Sequence, residues 1–490
     1  MVYRSASKVA LNPDTASVVT IRFVMFCSPI FSYPGTILPN SRLKQLLYLI
    51  CLLTDFCAFV VIFAVTRRLA EQQADLWYLG MFGAAFSFSA GLTSVLSGWL
   101  SSRFDSRFVF VSGCITVALG VMACAFGDTT HAGFLLRYCL LGIGLGFIYP
   151  TLIGWLNRNE DVRTNRRGVS RTLILYCVAW NVGMMCGQLT AGWLFAQGLA
   201  WLYGLAFGAS IANVCLAIAA SRLVAAPSVT SVTGNEDTTE VSDRFAGSDP
   251  VNTKVAVHFK RLGWIANSGG TFGTGLVLHL LPDLVVTIGI PADSHGSLLA
   301  YGRGVVIATY LLMHVNSFWH YRFSVSLVSQ VLGAIGLIMF ACADSAVTLI
   351  VGLTLHSQLA GYNYFSGLFY STVGSSPESR TLAAGIHEAT LAAGMAAGTA
   401  AAGVLGTFIG NRAPYVLSFI VLAVLIVVQI AVFCRWFLFM QKDSTGSAAK
   451  FLGSMCPDEA STARPEMSNT NHPPQSVALP QNRNQDRSQS

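Results

Sequence analysis

Charge is scarce in this chain: of 490 residues, 30 are Lys or Arg and 23 are Asp or Glu, 11% in all, against about 25% in ordinary soluble domains. With 53% of the residues hydrophobic, a water-soluble fold is excluded and lipid is the expected solvent. Metal and redox frameworks are also lacking. The 12 cysteines are scattered, many inside apolar runs (Cys51, Cys57, Cys114, Cys139, Cys177, Cys186 and Cys215), with no Cys-x-x-Cys pair and no Cys/His cluster at ligand spacing. They read as small buried side chains. No Gly-x-x-x-x-Gly-Lys-Ser/Thr loop is present to cradle ATP phosphates, and no His-Glu-x-x-His helix or Gly-x-Ser-x-Gly elbow to build a membrane hydrolase. No enzyme activity, cofactor or metal is therefore expected, and any work against a gradient must draw on another gradient. Residues 1–20 also lack the basic, apolar, small-residue order of a cleaved signal peptide.

What the chain does have is length and long apolar runs. A helix needs about 20 mostly apolar residues to cross the hydrocarbon core, and twelve such runs are predicted. The first six are 45–66, 76–99, 107–127, 132–156, 171–196 and 199–223; the second six are 260–286, 296–317, 324–343, 346–371, 381–410 and 413–438. This gives an all-α membrane protein of two six-helix bundles, 42–223 and 259–440. Around them lie an N-terminal extension (1–41), a polar inter-half loop (224–258) and a tail rich in Ser, Asn, Gln and Pro (441–490) that reads as disordered. Residues 17–38, apolar but carrying Arg22, Pro29 and Pro34, fit either an interfacial or disordered extension or an over-long start.

The net charge of +7 does not point to nucleic acid, because the basic residues sit in short segments between apolar runs. Arg103, Arg107, Arg158, Arg163, Arg166, Arg167, Arg222, Arg244, Lys254, Lys260, Arg261, Arg322 and Arg380 fall on one side of the predicted topology; only Arg67, Arg68 and Arg412 fall on the other. The positive-inside rule then makes both termini cytoplasmic in a multi-pass plasma or inner membrane protein.

The sequence is also written twice. Ser170-Arg171-Thr172-Leu173 recurs as Ser379-Arg380-Thr381-Leu382, and each copy opens an apolar stretch with glycines in one rhythm: Gly183, Gly187 and Gly192, then Gly394, Gly398 and Gly403. Half-length repeats of this kind are a transporter signature. Small residues at every fourth position let helix backbones approach closely in lipid, so these glycines are read as packing seams. The duplicated Arg171 and Arg380, at the cytoplasmic starts of equivalent spans, read as topology and gating elements.

Between the second and third spans lies Gly98-Trp99-Leu100-Ser101-Ser102-Arg103-Phe104-Asp105-Ser106-Arg107. It resembles the loop motif of the major facilitator superfamily at Gly98, Leu100, Arg103 and Arg107, with Ser102 where that family has Asp and Asp105 where it has Gly. The Gly183, Gly187, Gly192 series resembles the family's fifth-span motif, with Gln188 in place of its proline, which leaves import versus export open. The resemblance covers residues 42–440 and implies two rocking bundles with spans one, four, seven and ten lining a central cavity. It also implies a gate braced by an acidic loop residue against a helix N-terminus and a basic partner, a carboxylate that Asp105 would supply here. In the predicted fourth span, Arg137 followed by a glycine-rich run resembles the family's Arg; its alternative is an interface anchor.

Ionisable groups at membrane depth cost about 3 kcal/mol or more unless they face protein or water. Asp55, ten residues into the first span, is the leading proton or cation coupling candidate. Glu388 and His387 in span eleven form the second; adjacent helical residues point about 100° apart, so at most one is expected to face the cavity. Arg303 in span eight reads as counter-charge to a buried carboxylate or an anionic substrate, or else as an interface anchor. Tyr149, Tyr362, Asn363 and Tyr364 are expected to offer cavity hydrogen bonds and apolar faces. His279 and Asp283, four apart beside Pro282, are expected on one helical face.

The expectation is a monomeric secondary active transporter working by alternating access, with a small-molecule substrate, a proton or cation co-substrate and the lipid bilayer as partners. The alternative is a receptor or sensor that keeps the fold without transport.

Overall fold

Pro39 and Pro250 each open a long helix, at the position where a missing N–H costs nothing. The computed structural model describes residues 39–129, 133–157, 166–224, 250–375 and 380–443, and in these every element is helical. The first half of the chain forms α1 (Pro39–Glu71), α2 (Leu76–Arg103), α3 (Ser106–Ala125), α4 (Gly133–Asn157), α5 (Arg166–Phe195) and α6 (Leu199–Leu223). The second half forms α7 (Pro250–His279), α8 (Leu281–Thr287), α9 (Ala292–Val315), α10 (Phe323–Ala341), α11 (Ala346–Val373), α12 (Arg380–Ile409) and α13 (Ala413–Asp443). Most of the N-terminal extension, the arginine-rich 158–165 segment, 225–249 and the tail from 444 lie outside the described residues.

Ten of these helices are long and apolar enough to cross a membrane, and α7 with α8 forms an eleventh candidate bent by 45°. The bend sits at Leu280, two residues before Pro282 near the start of α8, because proline supplies no N–H to continue the ladder. This corrects the expectation that His279 and Asp283 share one helical face: they belong to different helices. Of the twelve predicted spans the remaining one is α11, 28 residues long but less apolar than the others. Its polar residues His356, Ser357, Asn363, Ser366, Ser371 and Thr372 are all buried. A second correction concerns 224–258: α7 already begins at Pro250, and Val255 and Ala256 are buried.

Outward-facing Phe88, Phe108, Leu136, Trp201 and Val427 are exposed, as a surface bathed in hydrocarbon requires. Inside, polar groups pair with each other. Gln330 on α10 and Gln429 on α13 exchange two amide hydrogen bonds of 3.1 and 2.7 Å, a mutual satisfaction that lipid could not provide.

Residues up to Ile430 form one packed unit and Ala431–Ser490 a second, in which the rings of Phe433 and Trp436 lie 5.7 Å apart. In the first unit α5 packs on α1 and α9, and α12 packs on α7 and α2. The duplicated glycines make these contacts. A Cβ on Gly183 would strike the Leu52 carbonyl and one on Gly187 would lie 2.8 Å from Phe56 O, both on α1. Gly394 and Gly398 stand in the same way against Ser268 and Phe272 on α7. The third glycine of each series meets a glycine of the other half: a Cβ on Gly192 would lie 2.9 Å from Gly296 Cα, and one on Gly403 2.9 Å from Gly80 Cα. Each seam thus holds a helix to its own half with two glycines and to the opposite half with one.

Candidate functional site

Helical spacing aims one face of several helices at a common space. Asp55 and Phe59 are four apart on α1; Phe86, Ala90 and Ser94 repeat at four on α2; Tyr176, Trp180 and Met184 do so on α5. On α7 the face is Thr271, Thr274 and Leu278, and on α12 it is Glu388, Leu391, Ala392 and Met395. With Tyr149 from α4, Arg303 from α9 and Tyr364 from α11, these residues line a cavity of about 100 Å³.

Three charged side chains face it. Asp55 is 1% exposed, Glu388 7% and Arg303 8%. Each carboxyl is held by a tyrosine from the same half of the chain: Tyr149 Oη donates to Asp55 Oδ1 at 2.6 Å, and Tyr364 Oη donates to Glu388 Oε1 at 2.6 Å. Tyr176 Oη lies 3.3 Å from Tyr364 Oη, so the second pair continues across to α5. Such short bonds to a carboxyl are the strong kind, and they offset part of the cost of taking the group out of water. The helix α1 can carry Asp55 here because Gly183 opposes it without a side chain; a Cβ there would lie 3.1 Å from Asp55 Cβ. Beside Asp55, Thr54 Oγ1 accepts from Asn213 Nδ2 at 2.8 Å, fixing α1 to α6.

Arg303 differs from the carboxyls. Among the described residues it makes no hydrogen bond or ion pair; its guanidinium Cζ stands 5.8 Å from the Phe59 ring centroid, and Asp55 and Tyr310 are its electrostatic neighbours.

Contacts between the halves bracket the cavity. Towards the loop after α1, both Arg67 Nη atoms donate to Ile290 O at 3.1 Å while Arg67 Nε binds Glu71 Oε1 at 2.8 Å. Nearby, Tyr138 Oη lies 3.3 Å from His279 Nε2. Towards the opposite end, Thr381 of α12 fills the space left by Gly154 on α4, and Gly98 on α2 sits against Leu382.

Of the residues singled out from the sequence, Asp55, Glu388, Tyr149, Tyr364 and Arg303 thus converge on the cavity. The others lie elsewhere. His387 is fully buried behind Glu388, with neither ring nitrogen partnered among the described residues and its ring 5.0 Å from that of Tyr364; Gly367 leaves room for it. Asn363 turns to α7 and donates to Ala266 O at 2.8 Å, and the buried Tyr362 is also absent from the cavity wall. Arg137 donates to Phe126 O at 3.2 Å, capping the carbonyl end of α3.

In the loop after α2, Asp105 caps its own following helix, accepting from Arg107 N at 2.9 Å and Arg107 Nε at 2.7 Å. These bonds hold its carboxyl below the usual carboxylate range. Among the described residues its hydrogen bonds are local and do not reach the other half. Arg103 lies 4.3 Å over the Trp99 ring. In the first copy of the repeated word Arg171 is exposed, while Thr172 accepts from Tyr48 Oη and Lys44 Nζ. The Arg380 side chain lies outside the described residues.

Tyr176, Trp180, Phe59, Thr274 and Arg67 were not singled out from sequence. For the first three a signal existed: Tyr176 and Trp180 fall at helical spacing on the same face as Gly183 and Gly187, and Phe59 lies one turn beyond Asp55. Arg67 carried none, since a basic residue at a span end looks the same whether it snorkels or bridges two helices.

A family model described as Major Facilitator Superfamily matches residues 46–375. Among curated proteins, the MFS-type transporter TOXA of Cochliobolus carbonum is 27% identical over 159 residues, 32% of this chain and 28% of that protein. The match therefore spans under a third of the relative. Among solved structures, the human organic anion transporter MFSD10 superposes with a TM-score of 0.58 at 16% identity, covering 80% of this chain and 100% of that one. A point mutant of the nucleoside transporter NupG gives 0.56 at 16% identity, with 80% and 100% covered. A bacterial homologue of the human lysosomal transporter Spinster, inward-facing and unoccupied, gives 0.54 at 14%, with 82% and 97% covered. At these identities the superpositions establish the fold alone. The family match over residues 46–375 and the all-helical membrane architecture make this chain a multi-pass membrane protein of the major facilitator superfamily.

Proposed function

We propose that this protein is a secondary active transporter that moves a small solute by alternating access, coupled to a proton gradient through Asp55 and Glu388. The observation that carries the reading is the pair of buried carboxyls, one from each half of the chain, facing one cavity and each bonded to a tyrosine hydroxyl at 2.6 Å.

A carboxylate in a dry cavity is costly, so closing the cavity favours the protonated carboxyl, and opening it to water favours release. A group that gains a proton on one side and loses it on the other couples the gradient to the motion. Glycine seams between α2 and α12 and between α5 and α9 give the halves smooth surfaces on which to rock. In this scheme α11 completes twelve spans in two six-helix bundles, and both termini face the cytoplasm of a cell whose plasma or inner membrane holds a monomer.

The test is solute uptake into proteoliposomes under an imposed pH gradient, with Asp55→Asn and Glu388→Gln beside the wild type. Uptake that accelerates with the gradient in the wild type and loses that response in Asp55→Asn supports coupling. A fully pH-driven Asp55→Asn protein removes Asp55 from the role. Saturable ligand binding with no flux in any condition would replace the transporter by a receptor.

A further inference from the structure

The least satisfied charge in the cavity is the one that no tyrosine holds. Arg303 is 8% exposed and, among the described residues, unpaired. A buried guanidinium without an acceptor is expensive, and its five donors form a fork suited to a carboxylate. A carboxylate arriving with a ligand would satisfy it.

A polar recess lies beside this guanidinium. Arg303 and Thr274 line both the main cavity and an adjoining space of about 20 Å³, whose other walls include His356, Ser357 and Gly302. His356 Nε2 lies 3.2 Å from Thr274 Oγ1, while its Nδ1 has no partner among the described residues. Thr274, Ser357 and His356 therefore bring further hydrogen-bonding atoms to the recess that Arg303 lines. The larger cavity also carries the hydroxyls of Ser94, Thr271 and Tyr176, while Phe59, Phe86, Met184, Met395 and the ring of Trp180 present apolar faces.

We infer that the cavity takes a small organic monoanion with an apolar or aromatic body, its carboxylate held by Arg303 beside Thr274 and its body lying among Phe59, Trp180 and Met184. The assignment rests on reading this cavity as the transport site. Charge accounting favours an anion. The titratable and charged groups around Arg303 are Asp55 on α1, Tyr310 on its own helix α9, His356 on α11 and Glu388 on α12. In the closed cavity, where the coupling scheme protonates Asp55 and Glu388, Arg303 is the remaining charge among the lining residues, so an anion would neutralise it and a cationic ligand would add to it. A neutral ligand would leave the guanidinium uncompensated. Size narrows the class further: a dry cavity on the order of 150 Å³ holds a benzene-sized molecule, and about 100 Å³ with a recess of about 20 Å³ is somewhat smaller, which bounds the ligand at one small ring or a short chain.

Benzoate, benzamide and benzylamine share a ring and differ in charge, and they are the probes. Their binding to the purified full-length protein is measured by isothermal titration and thermal shift. Benzoate is expected to bind saturably, at least tenfold more tightly than either analogue. Arg303→Gln should weaken benzoate at least tenfold, and Arg303→Lys should lose less because it keeps the charge without the fork. Equal affinity for benzoate and benzamide, preference for benzylamine, no binding by benzoate, or unchanged benzoate affinity in Arg303→Gln would overturn the assignment. Should Arg303→Gln not fold, as its ligand-free melting curve will show, the wild-type ranking and Arg303→Lys decide. Because binding is read without flux, the two readings fail separately. Benzoate binding without transport sinks only the transporter, whereas pH-driven flux of another solute with no benzoate binding sinks only the anion.

Discussion

Replacing Gly183 by alanine adds a single methyl group at the place where α5 crosses α1 beside Asp55. The added Cβ would collide with the Leu52 carbonyl and stand 3.0 Å from Leu52 C and 3.1 Å from Asp55 Cβ, where ordinary contact begins at 3.4 Å. The obstructing atoms are mostly backbone, so relief requires the helices to part by several tenths of an ångström. Overpacking of this kind costs about 1–3 kcal/mol, and the better helix propensity of alanine returns up to about 1 kcal/mol. The net expectation is a destabilisation of up to about 2 kcal/mol. The same substitution at Gly208 on α6, where nothing lies within 4 Å, keeps only the propensity gain and should stabilise by about 0.5–1 kcal/mol. Thermal unfolding of both purified variants under one heating protocol measures the difference, which is one of sign. Spreading α1 from α5 also displaces Asp55 from Tyr149, whose hydrogen bond is 2.6 Å long, so pH-driven uptake should fall in Gly183→Ala and not in Gly208→Ala. If both variants melt above the wild type, the close-packed seam and the reasoning built on it are refuted.

Arg67→Ala removes the charged donors on Ile290 O and should loosen that end of the protein by about 1.5–3 kcal/mol, seen as faster thiol labelling of cysteines introduced near Ile290. Asn363→Ala should lower stability by about 1–2 kcal/mol through loss of its bond to Ala266 O, while leaving ligand affinity in a titration unchanged, because its side chain ties α11 to α7. Asp105→Asn tests the loop. The Arg107 bonds hold this carboxyl below its ordinary range, so its stabilisation is present above about pH 4 and is lost as pH falls through the lowered folded value. The melting difference between wild type and Asp105→Asn should therefore be constant near neutrality and vanish in acid, and it should be small because the pair is solvent-exposed.

Much of the architecture was legible in the sequence because lipid imposes simple rules. A segment must be apolar for about 20 residues to span, and an interface between helices is announced by small residues. Hence the long helices, the two glycine series and the isolation of Asp55 in an apolar run could all be read. Where the rule is local and one-dimensional, reading stopped short. The bend at Leu280 depends on Pro282, which looked compatible with a continuous span; the start of α7 at Pro250 lay in a stretch too polar to resemble a membrane helix. Glu388 and His387 could be told apart only as pointing in different directions, without a sign for which faced inward.

The sequence by itself determined an all-helical membrane chain, duplicated, with rare charges placed at membrane depth, since the cost of burying charge leaves few places for it. Only the tertiary structure decided which charges meet. Asp55, Glu388 and Arg303 lie on helices far apart in the chain, and their convergence depends on the crossing of α1 with α5 and of α12 with α7, set by glycines against carbonyls. Tyrosine hydroxyls then satisfy the two acids and leave the arginine open, a distinction that exists only in three dimensions because hydrogen bonding is a matter of distance and direction.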